Sequence, residues 1–444
     1  MLTFEDFKTL VSSGDIDTII IALTDMQGRP MGKRLTAQYF LDEVATHGAE
    51  GCAYLLAVDT DMRTVNGYNI SSWETGYGDF RMKPDFATLR LIPWLEATAM
   101  IQCDLEWHNG KPVVQSPRQI LKHQLERLKD MGLECLAATE LEFIVFEETY
   151  ENASKKHYFN LEPGNQYNVD YSILGTTRVE PFIGRIRREM TGAGLYCENS
   201  KGECNFGQHE VNFKYKTALE TADDHVVFKN GTKEIASQMG ISVTFMAKFN
   251  EREGSSCHIH MSLRRSSDGK QLFQVDEAAF NHFLAGQLAC LREFILFYAP
   301  NINSYKRYAV GSFAPTSVAW GRDNRTCGLR VVGHGASLRL ENRVAGADAN
   351  PYLALAAMIA AGIYGMEHKL ELEPEFKGNA YNSKKPRVPH TMRGARDLLA
   401  KSKLAKAAFG EAVIEHYLNY ADVELEAFDA AVTDWERARG FERL

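Results

Sequence analysis

Three short stretches of the chain place charged or metal-ligating side chains two residues apart. They are Glu140-Leu141-Glu142, His258-Ile259-His260-Met261-Ser262 and Arg339-Leu340-Glu341-Asn342-Arg343. Two residues is the period of a β-strand, so each stretch directs its polar groups to one face of a sheet. A face with this density of charge cannot be a packed apolar core, because buried charge needs partners or metal ions. The pattern predicts one concave site with hard cations beside the carboxylates.

Two further carboxylates, Glu203 and Glu210, bracket a short segment later in the chain. With the glutamates and histidine of the three stretches they form a set of possible ligands: Glu140, Glu142, Glu203, Glu210, His258 and Glu341. A set rich in oxygen suits Mg²⁺ or Mn²⁺ better than zinc. The alternative is that each glutamate lies on a solvated face. The apolar neighbours and the repeated spacing of two weaken that alternative for the set as a whole.

Five arginines lie close together near the third stretch: Arg307, Arg325, Arg330, Arg339 and Arg343. Arginine makes forked, charge-assisted hydrogen bonds to carboxylates and phosphates. Divalent metals with an arginine cluster are typical of phosphoryl transfer, where charge neutralisation and positioning supply the catalysis. Surface ion pairs are the alternative interpretation of the cluster. The residues alone therefore predict a metal-dependent enzyme acting on a phosphorylated nucleotide, with a carboxylate substrate also possible.

Composition excludes several other classes of protein. The 444 residues carry a formal net charge of −8, and a basic surface for nucleic acid is therefore not expected. The eight cysteines form no C-x-x-C pair, which indicates reduced thiols and a cytoplasmic location. The longest apolar run, Leu353 to Met366, is too short to span a membrane and predicts a buried helix.

The pattern of the chain predicts an α+β protein with two domains. A turn cluster, Asn109-Gly110-Lys111-Pro112, marks a boundary between residues 1–109 and residues 110–444. Before it we expect a helix at residues 3–10 and strands near residues 16–23, 52–58, 88–94 and 100–105. After it, Ser116-Pro117 opens a long helix that ends at Gly132. Strands and helices then alternate irregularly.

Several longer motifs carry a resemblance to a known family. They include Gly207-Gln208-His209-Glu210, Asn303-Ser304-Tyr305-Lys306-Arg307, Asn324-Arg325 and Ala349-Asn350-Pro351-Tyr352-Leu353, together with the three stretches above. The chain resembles type I glutamine synthetases over nearly its whole length, and among their relatives the γ-glutamylamide synthetases such as γ-glutamylmethylamide synthetase. The resemblance implies a small β-grasp-like N-terminal domain and a large catalytic domain with a curved antiparallel sheet flanked by helices. It also implies a homo-oligomer, a dodecamer of two stacked hexameric rings.

The resemblance implies a role for each matching residue. Glu142, Glu203 and Glu210 correspond to ligands of one metal, and Glu140, His258 and Glu341 to ligands of a second. The positions implied to contact ATP are Glu198, His260, Ser262, Arg325, Arg330 and Arg339, with Arg325 near the transferring phosphoryl group. The positions implied to hold glutamate are Gly254, Arg307 and Arg343. The implied cofactors are ATP and at least two Mg²⁺ or Mn²⁺ ions per site.

The implied reaction is an ATP-dependent ligation. ATP phosphorylates the γ-carboxylate of L-glutamate, and an amine attacks the γ-glutamyl phosphate to give an amide, ADP and phosphate. The expected partners are these small molecules, with no nucleic acid and no membrane.

Two residues depart from the family pattern. Glu253 replaces an asparagine before Gly254, and Phe313 replaces the glutamate that binds and deprotonates ammonium in glutamine synthetases. An aromatic ring at residue 313 favours an alkylated amine, since a buried methylene contributes about 0.8 kcal/mol and a cation over a ring about 0.5–2 kcal/mol. We therefore interpret Phe313 as part of the amine site and expect a short alkylamine, methylamine first.

Three different interpretations stay open beside the alkylamine ligase. The first is a glutamine synthetase that uses ammonium. The second is a γ-glutamyl-ethanolamide or polyamine synthetase, and the third is a non-catalytic structural relative. A structural relative would have lost metal ligands, whereas all six matching positions are filled here.

Overall fold

The computed structural model describes residues 1–444, and its first part is built around a six-stranded sheet. The strands are β1 (Thr18–Thr24), β2 (Pro30–Thr36), β3 (Ala49–Cys52), β4 (Asp79–Pro84), β5 (Arg90–Leu91) and β6 (Thr98–Glu106). β1 pairs antiparallel with β2 and parallel with β6. An 18-residue apolar cluster packs on this sheet, and Phe7 of the first helix belongs to it.

A nine-stranded sheet forms the centre of the rest of the protein. Its strands are β7 (Leu133–Phe146), β8 (Cys197–Gly202), β9 (Gln208–Phe213), β10 (Lys216–Thr217), β11 (Ser242–Thr244), β12 (Cys257–Arg265), β13 (Trp320–Arg322), β14 (Leu329–Val332) and β15 (Arg339–Asn342). The main order is β13-β14-β15-β12-β7-β9-β8, with β10 and β11 also paired to β7. All pairs are antiparallel except β13 with β14.

Sixteen α-helical segments surround the sheets. They are α1 (Phe4–Ser13), α2 (Ala37–Tyr39), α3 (Ala45–His47), α4 (Pro117–Asp130), α5 (Tyr150–Lys155), α6 (Ile173–Thr177), α7 (Glu180–Gly192), α8 (Ala218–Gln238), α9 (Leu272–Val275), α10 (Glu277–Cys290), α11 (Ile295–Tyr298), α12 (Pro351–Glu367), α13 (Met392–Lys401), α14 (Lys403–Phe409), α15 (Glu411–Ala430) and α16 (Asp434–Gly440). α12 is buried almost all round, which explains its unbroken apolar run. None of the helices is both long enough and apolar enough to cross a bilayer.

The predicted α+β class with a curved antiparallel sheet is confirmed. The helix signals are also accurate: the Thr3 and Asp6 side chains form a capping box at the start of α1, and Asn350 caps α12 ahead of Pro351. The predicted strand at residues 52–58 is wrong. β3 ends at Cys52, and Ala53–Leu56 form a 3₁₀ turn that buries Ala53 and Leu56, three residues apart. A short apolar run has no periodicity that separates these two structures.

A buried arginine ties the first sheet to the rest of the protein. Arg118 lies on α4, and its side chain is only 3% exposed. Its guanidinium donates to Asp85 at 2.7 Å, to Asp104 at 2.5 Å and to Asp223 of α8 at 3.0 Å. The hydroxyl of Tyr352 at the start of α12 donates to Asp223 at 2.5 Å. Since two of the aspartates belong to the first part of the chain, this network joins the first sheet to helices α4, α8 and α12 of the rest of the protein. The boundary at residue 109 stays a prediction.

We expect Arg118→Met to destabilise the protein strongly. Loss of the arginine leaves three carboxylates without their shared partner, and breaking a buried charge network costs about 3–5 kcal/mol. Urea unfolding measures the change. Arg396→Met is the matched control, because Arg396 pairs with Asp422 on the surface and such pairs contribute about 0–1 kcal/mol. Equal effects of the two substitutions would contradict the role of Arg118 in joining the sheets.

Candidate active site

The three polar stretches occupy neighbouring strands of the nine-stranded sheet. Glu140 and Glu142 lie on β7, His258 and His260 on β12, and Glu341 on β15. The register pairs His258 with Glu140 and His260 with Glu341, and on the other side of β7 it pairs Glu142 with Glu210. Directly paired residues project from the same face of a sheet. The period of two therefore brings these side chains together as predicted.

Glu142, Glu203 and Glu210 form the first triplet, with one oxygen from each within 4.8 Å of the others. A further group of possible ligands, Asp170, Glu203 and Cys204, shares Glu203 with this triplet. Glu142 is held in place by the backbone N–H of Ser256 at 2.8 Å and by the Gln208 amide at 3.0 Å. Burial and the nearby Glu210 raise the pKa of Glu142 to about 8. Burial also raises the pKa of Glu210. Glu142 and Glu210 are thus short of positive charge, as the ligands of a hard cation are, whereas Glu203 forms an ion pair with Lys201.

Glu140, His258 and Glu341 form the second triplet, with donor atoms again within 4.8 Å. His258 Nδ1 lies 3.2 Å from Glu140 and 3.7 Å from Glu341. Burial, together with Arg343, lowers the pKa of His258 to about 4, so the imidazole is neutral and able to ligate a metal. Burial opposes ionisation of Glu341, but Arg343 and the histidines outweigh it and lower its pKa. Five carboxylates and one imidazole therefore fit a pair of Mg²⁺ or Mn²⁺ ions.

Four of the positions implied to contact ATP line a cavity of about 570 Å³. They are Glu198, His260, Ser262 and Arg339. Arg339 donates to His260 Nδ1 at 3.1 Å, and His260 Nε2 lies 2.8 Å from Glu140. Glu140 lines this cavity and a larger neighbour, so the two spaces meet at the second triplet.

The larger cavity has a volume of about 830 Å³ and contains most of the remaining predicted residues. The members of both triplets line it, as do Gly254, Phe313, Arg325, Arg330 and Arg343. Arg330 and Arg343 donate to Glu341 at 2.9 and 2.5 Å. Arg325 is exposed. The arrangement places guanidinium groups on one side of the carboxylates, where they can hold anionic oxygens.

Arg307 does not line either cavity, which does not support its predicted contact with glutamate. Its side chain is buried, and its guanidinium donates to the carbonyls of Arg343 at 3.2 Å and Ala345 at 3.0 Å and to the hydroxyl of Ser256 at 3.2 Å. Its Nη2 thus holds the segment after β15, whereas its Nε has no hydrogen-bond partner, and its contact with glutamate stays a prediction.

Phe313 lies on an exposed loop at the larger cavity. Its side chain is 58% exposed, and its backbone φ of 57° lies in the left-handed region. Such a φ is rare for an aromatic residue and marks a strained position. Arg343 donates to the Phe313 carbonyl at 3.4 Å and to Glu341, so one guanidinium connects the loop with the second triplet.

Sequence analysis missed several residues of the site. Gln208 and Ser256 hold Glu142, and Lys201, Asp170 and Tyr171 line the larger cavity. The sequence did indicate Lys201, because it lies two residues before Glu203. This is the same strand period that relates the polar residues of the other stretches. Asp170 and Tyr171 lie between helices and had no comparable signal.

Comparison with known proteins identifies the group to which the chain belongs. Residues 114–439 match the family described as glutamine synthetase, catalytic domain. A gamma-glutamylethanolamide synthetase of Streptomyces coelicolor is 60% identical, with 100% of this chain and 96% of that protein covered. A glutamate–isopropylamine ligase of a Pseudomonas species is 36% identical, with 97% and 96% covered.

A solved structure described as a complex of GmaS with ADP has the same fold. The TM-score is 0.86 with 24% sequence identity, over 98% of this chain and 99% of that one. The family match spans more than half of the chain, and the relatives align over nearly all of it. The chain therefore belongs to the glutamine synthetase family.

Proposed function

We propose that the protein is an ATP-dependent ligase that joins the γ-carboxylate of L-glutamate to a short primary amine. The observation that carries the proposal is the pair of adjoining triplets on one sheet face, with arginines beside them. Cation sites beside arginines suit the transfer of a phosphoryl group to a carboxylate. The two relatives, a gamma-glutamylethanolamide synthetase and a glutamate–isopropylamine ligase, support an amine other than ammonium.

In the proposed mechanism the acidic residues bind cations and the arginines bind phosphate oxygens. The two triplets would hold divalent cations, which when bound neutralise the charge on phosphate oxygens. Arg325, Arg330 and Arg339 lie where they can donate to the phosphates of ATP. A γ-carboxylate oxygen of glutamate attacks the terminal phosphorus of ATP and ADP leaves. The amine, which enters as an ammonium ion, loses one proton to solvent, and its neutral nitrogen attacks the acyl carbon. The bond to phosphate breaks, and the departing phosphate takes the second proton from nitrogen to leave the amide.

We propose ethanolamine as the favoured amine and keep methylamine as the second candidate. The uncharged ring of Phe313 offers an apolar contact to an alkyl chain. A hydroxyl group needs a polar partner as well, and Ser312 and Glu253 line the same cavity. The backbone carbonyl of Glu253 accepts from Asn205, and its carboxylate remains available to accept a hydrogen bond from a substrate hydroxyl. The Streptomyces coelicolor relative is a gamma-glutamylethanolamide synthetase, which supports the same choice.

Ammonium as the substrate, or a purely structural role, fits the site less well. Ammonium has no alkyl group to place beside Phe313, and no glutamate stands at that position. A structural relative would not need both triplets. The family fold also supports assembly of several copies, and we propose that the working enzyme is a homo-oligomer, a dodecamer of two stacked hexameric rings.

Removal of a triplet member should abolish catalysis. We expect Glu142→Ala and His258→Ala each to lower the rate of ADP formation by about a thousandfold, because charge on the transferring group is no longer neutralised. Coupled detection of ADP measures the rate. Glu134→Ala is the control, since Glu134 lies on the same strand but pairs with Arg264 instead of joining a triplet. Undiminished rates in both triplet variants would disprove the assignment.

The amine proposal can be tested with a series of amines. We expect kcat/KM for ethanolamine to exceed that for ammonium by about tenfold or more, which requires only about 1.4 kcal/mol of differential binding in the transition state. Ethylamine, which lacks the hydroxyl, should fall between them. Phe313→Glu should shift the preference towards ammonium, because a carboxylate attracts the smaller cation.

Val310→Glu is the matched control for that substitution. Val310 lies on the same loop and is 73% exposed, but it does not line the larger cavity. The same added charge at this position should leave the order of amines unchanged. If the unmodified protein uses ammonium faster than every alkylamine, the chain is a glutamine synthetase and our interpretation of Phe313 is wrong.

A further inference from the structure

One lysine lies inside the carboxylate group that we assign to the first cation. Lys201 is on β8, paired with Glu210 of β9, and its ammonium forms a close ion pair with Glu203. The side chains of Lys201 and Glu203 are only 21% and 15% exposed. Water therefore screens this pair less than a surface pair. A metal that uses Glu203 must compete with a positive charge that belongs to the protein itself.

Two further groups lie close to the Lys201 ammonium. The Asp170 carboxylate is 3.9 Å away, and the ring of Tyr171 has its centroid 4.9 Å away. A carboxylate and an aromatic face are both favourable neighbours for an ammonium group. Asp170 and Tyr171 line the larger cavity but belong to the loop before α6, outside the sheet. Lys201 therefore has two acidic neighbours, Glu203 and Asp170. A small rotation of its side chain can move the ammonium group from one carboxylate to the other.

The charge of Lys201 reaches the whole first triplet. It offsets part of the effect of burial, which raises the pKa of both Glu142 and Glu210. It thus partly neutralises carboxylates that would otherwise repel each other in a poorly hydrated site. The same charge disfavours a divalent cation at that point, since like charges repel.

We propose that Lys201 is an internal counter-cation of the Glu142–Glu203–Glu210 site and that it moves from Glu203 to Asp170 and Tyr171 when a divalent cation binds. Lys201 and the metal thus compete for Glu203, and Asp170 receives the displaced ammonium. This proposal rests on the proposed function, because it concerns one of the two cation sites assigned there. Its consequence is that Lys201 sets the metal concentration at which the site fills.

The affinity for Mn²⁺ tests this proposal without any measurement of activity. Electron paramagnetic resonance reports free Mn²⁺ during a titration. All variants carry His258→Ala, which disables the second triplet so that the titration reports the first. Lys201→Met and Lys201→Gln should bind Mn²⁺ about tenfold more tightly than this reference, equivalent to about 1.4 kcal/mol. Lys201→Arg retains the charge and should bind like the reference.

Two further variants separate competition from a general change in charge. Lys214→Met removes a lysine that lies over the Tyr196 ring outside both cavities, and it should leave the affinity unchanged. Asp170→Asn should weaken Mn²⁺ binding several-fold while Lys201 is present, because the displaced ammonium loses its acceptor. The same substitution should have no effect in the Lys201→Met protein.

Three results would overturn parts of the proposal. Unchanged or weaker binding in both neutral Lys201 variants would overturn the competition. An Asp170→Asn effect that persists without Lys201 would overturn the transfer to Asp170, because Asp170 would then act on the metal directly. Absence of saturable Mn²⁺ binding by the reference protein would overturn the first metal site itself, and with it this proposal. Circular dichroism confirms that each variant is folded.

Discussion

Two buried glutamates that face each other across paired strands set the main constraint on this protein. Glu142 of β7 and Glu210 of β9 are directly paired, and both are almost fully buried. Removal of water strengthens the repulsion between them, and their raised pKa values express the same cost. The fold must therefore keep positive charge close to them and hold the strands against that repulsion. Lys201 supplies charge, and the hydrogen bonds from Ser256 and Gln208 fix Glu142.

The charge of the side chains changes from strand to strand along one face of the nine-stranded sheet. Glutamates dominate on β7 and β9, histidines lie on β12, and arginines on β14 and beside β15. Glu341 lies at the junction, close to both His258 and Arg343. A cation suits one end of the face and an anion the other, so a phosphate can bridge between them. At the edge of the same cavity Phe313 is uncharged and strained, and we propose that it belongs to the amine site.

Much of this arrangement follows from local sequence, and some of it does not. The period of two predicts which residues share a face, and capping residues predict the starts of α1 and α12. The grouping of the six ligands came from the family resemblance, because strand order and register depend on contacts between distant segments. Arg307 is an example: its contacts with the carbonyls of Arg343 and Ala345 join segments distant in sequence and could not be predicted from its motif, and its contact with glutamate stays a prediction. Lys201 was not predicted as a site residue, because a lysine ammonium is a cation and cannot ligate a metal.

We propose that the sheet face holds two divalent cations, one at each triplet. Diffraction from crystals soaked with Mn²⁺ and ADP, recorded at the manganese absorption edge, locates such ions directly. We expect two anomalous peaks, one among Glu142, Glu203 and Glu210 and the other among Glu140, His258 and Glu341. Peaks confined to other parts of the protein, or a bound ADP without a peak at either triplet, would contradict it.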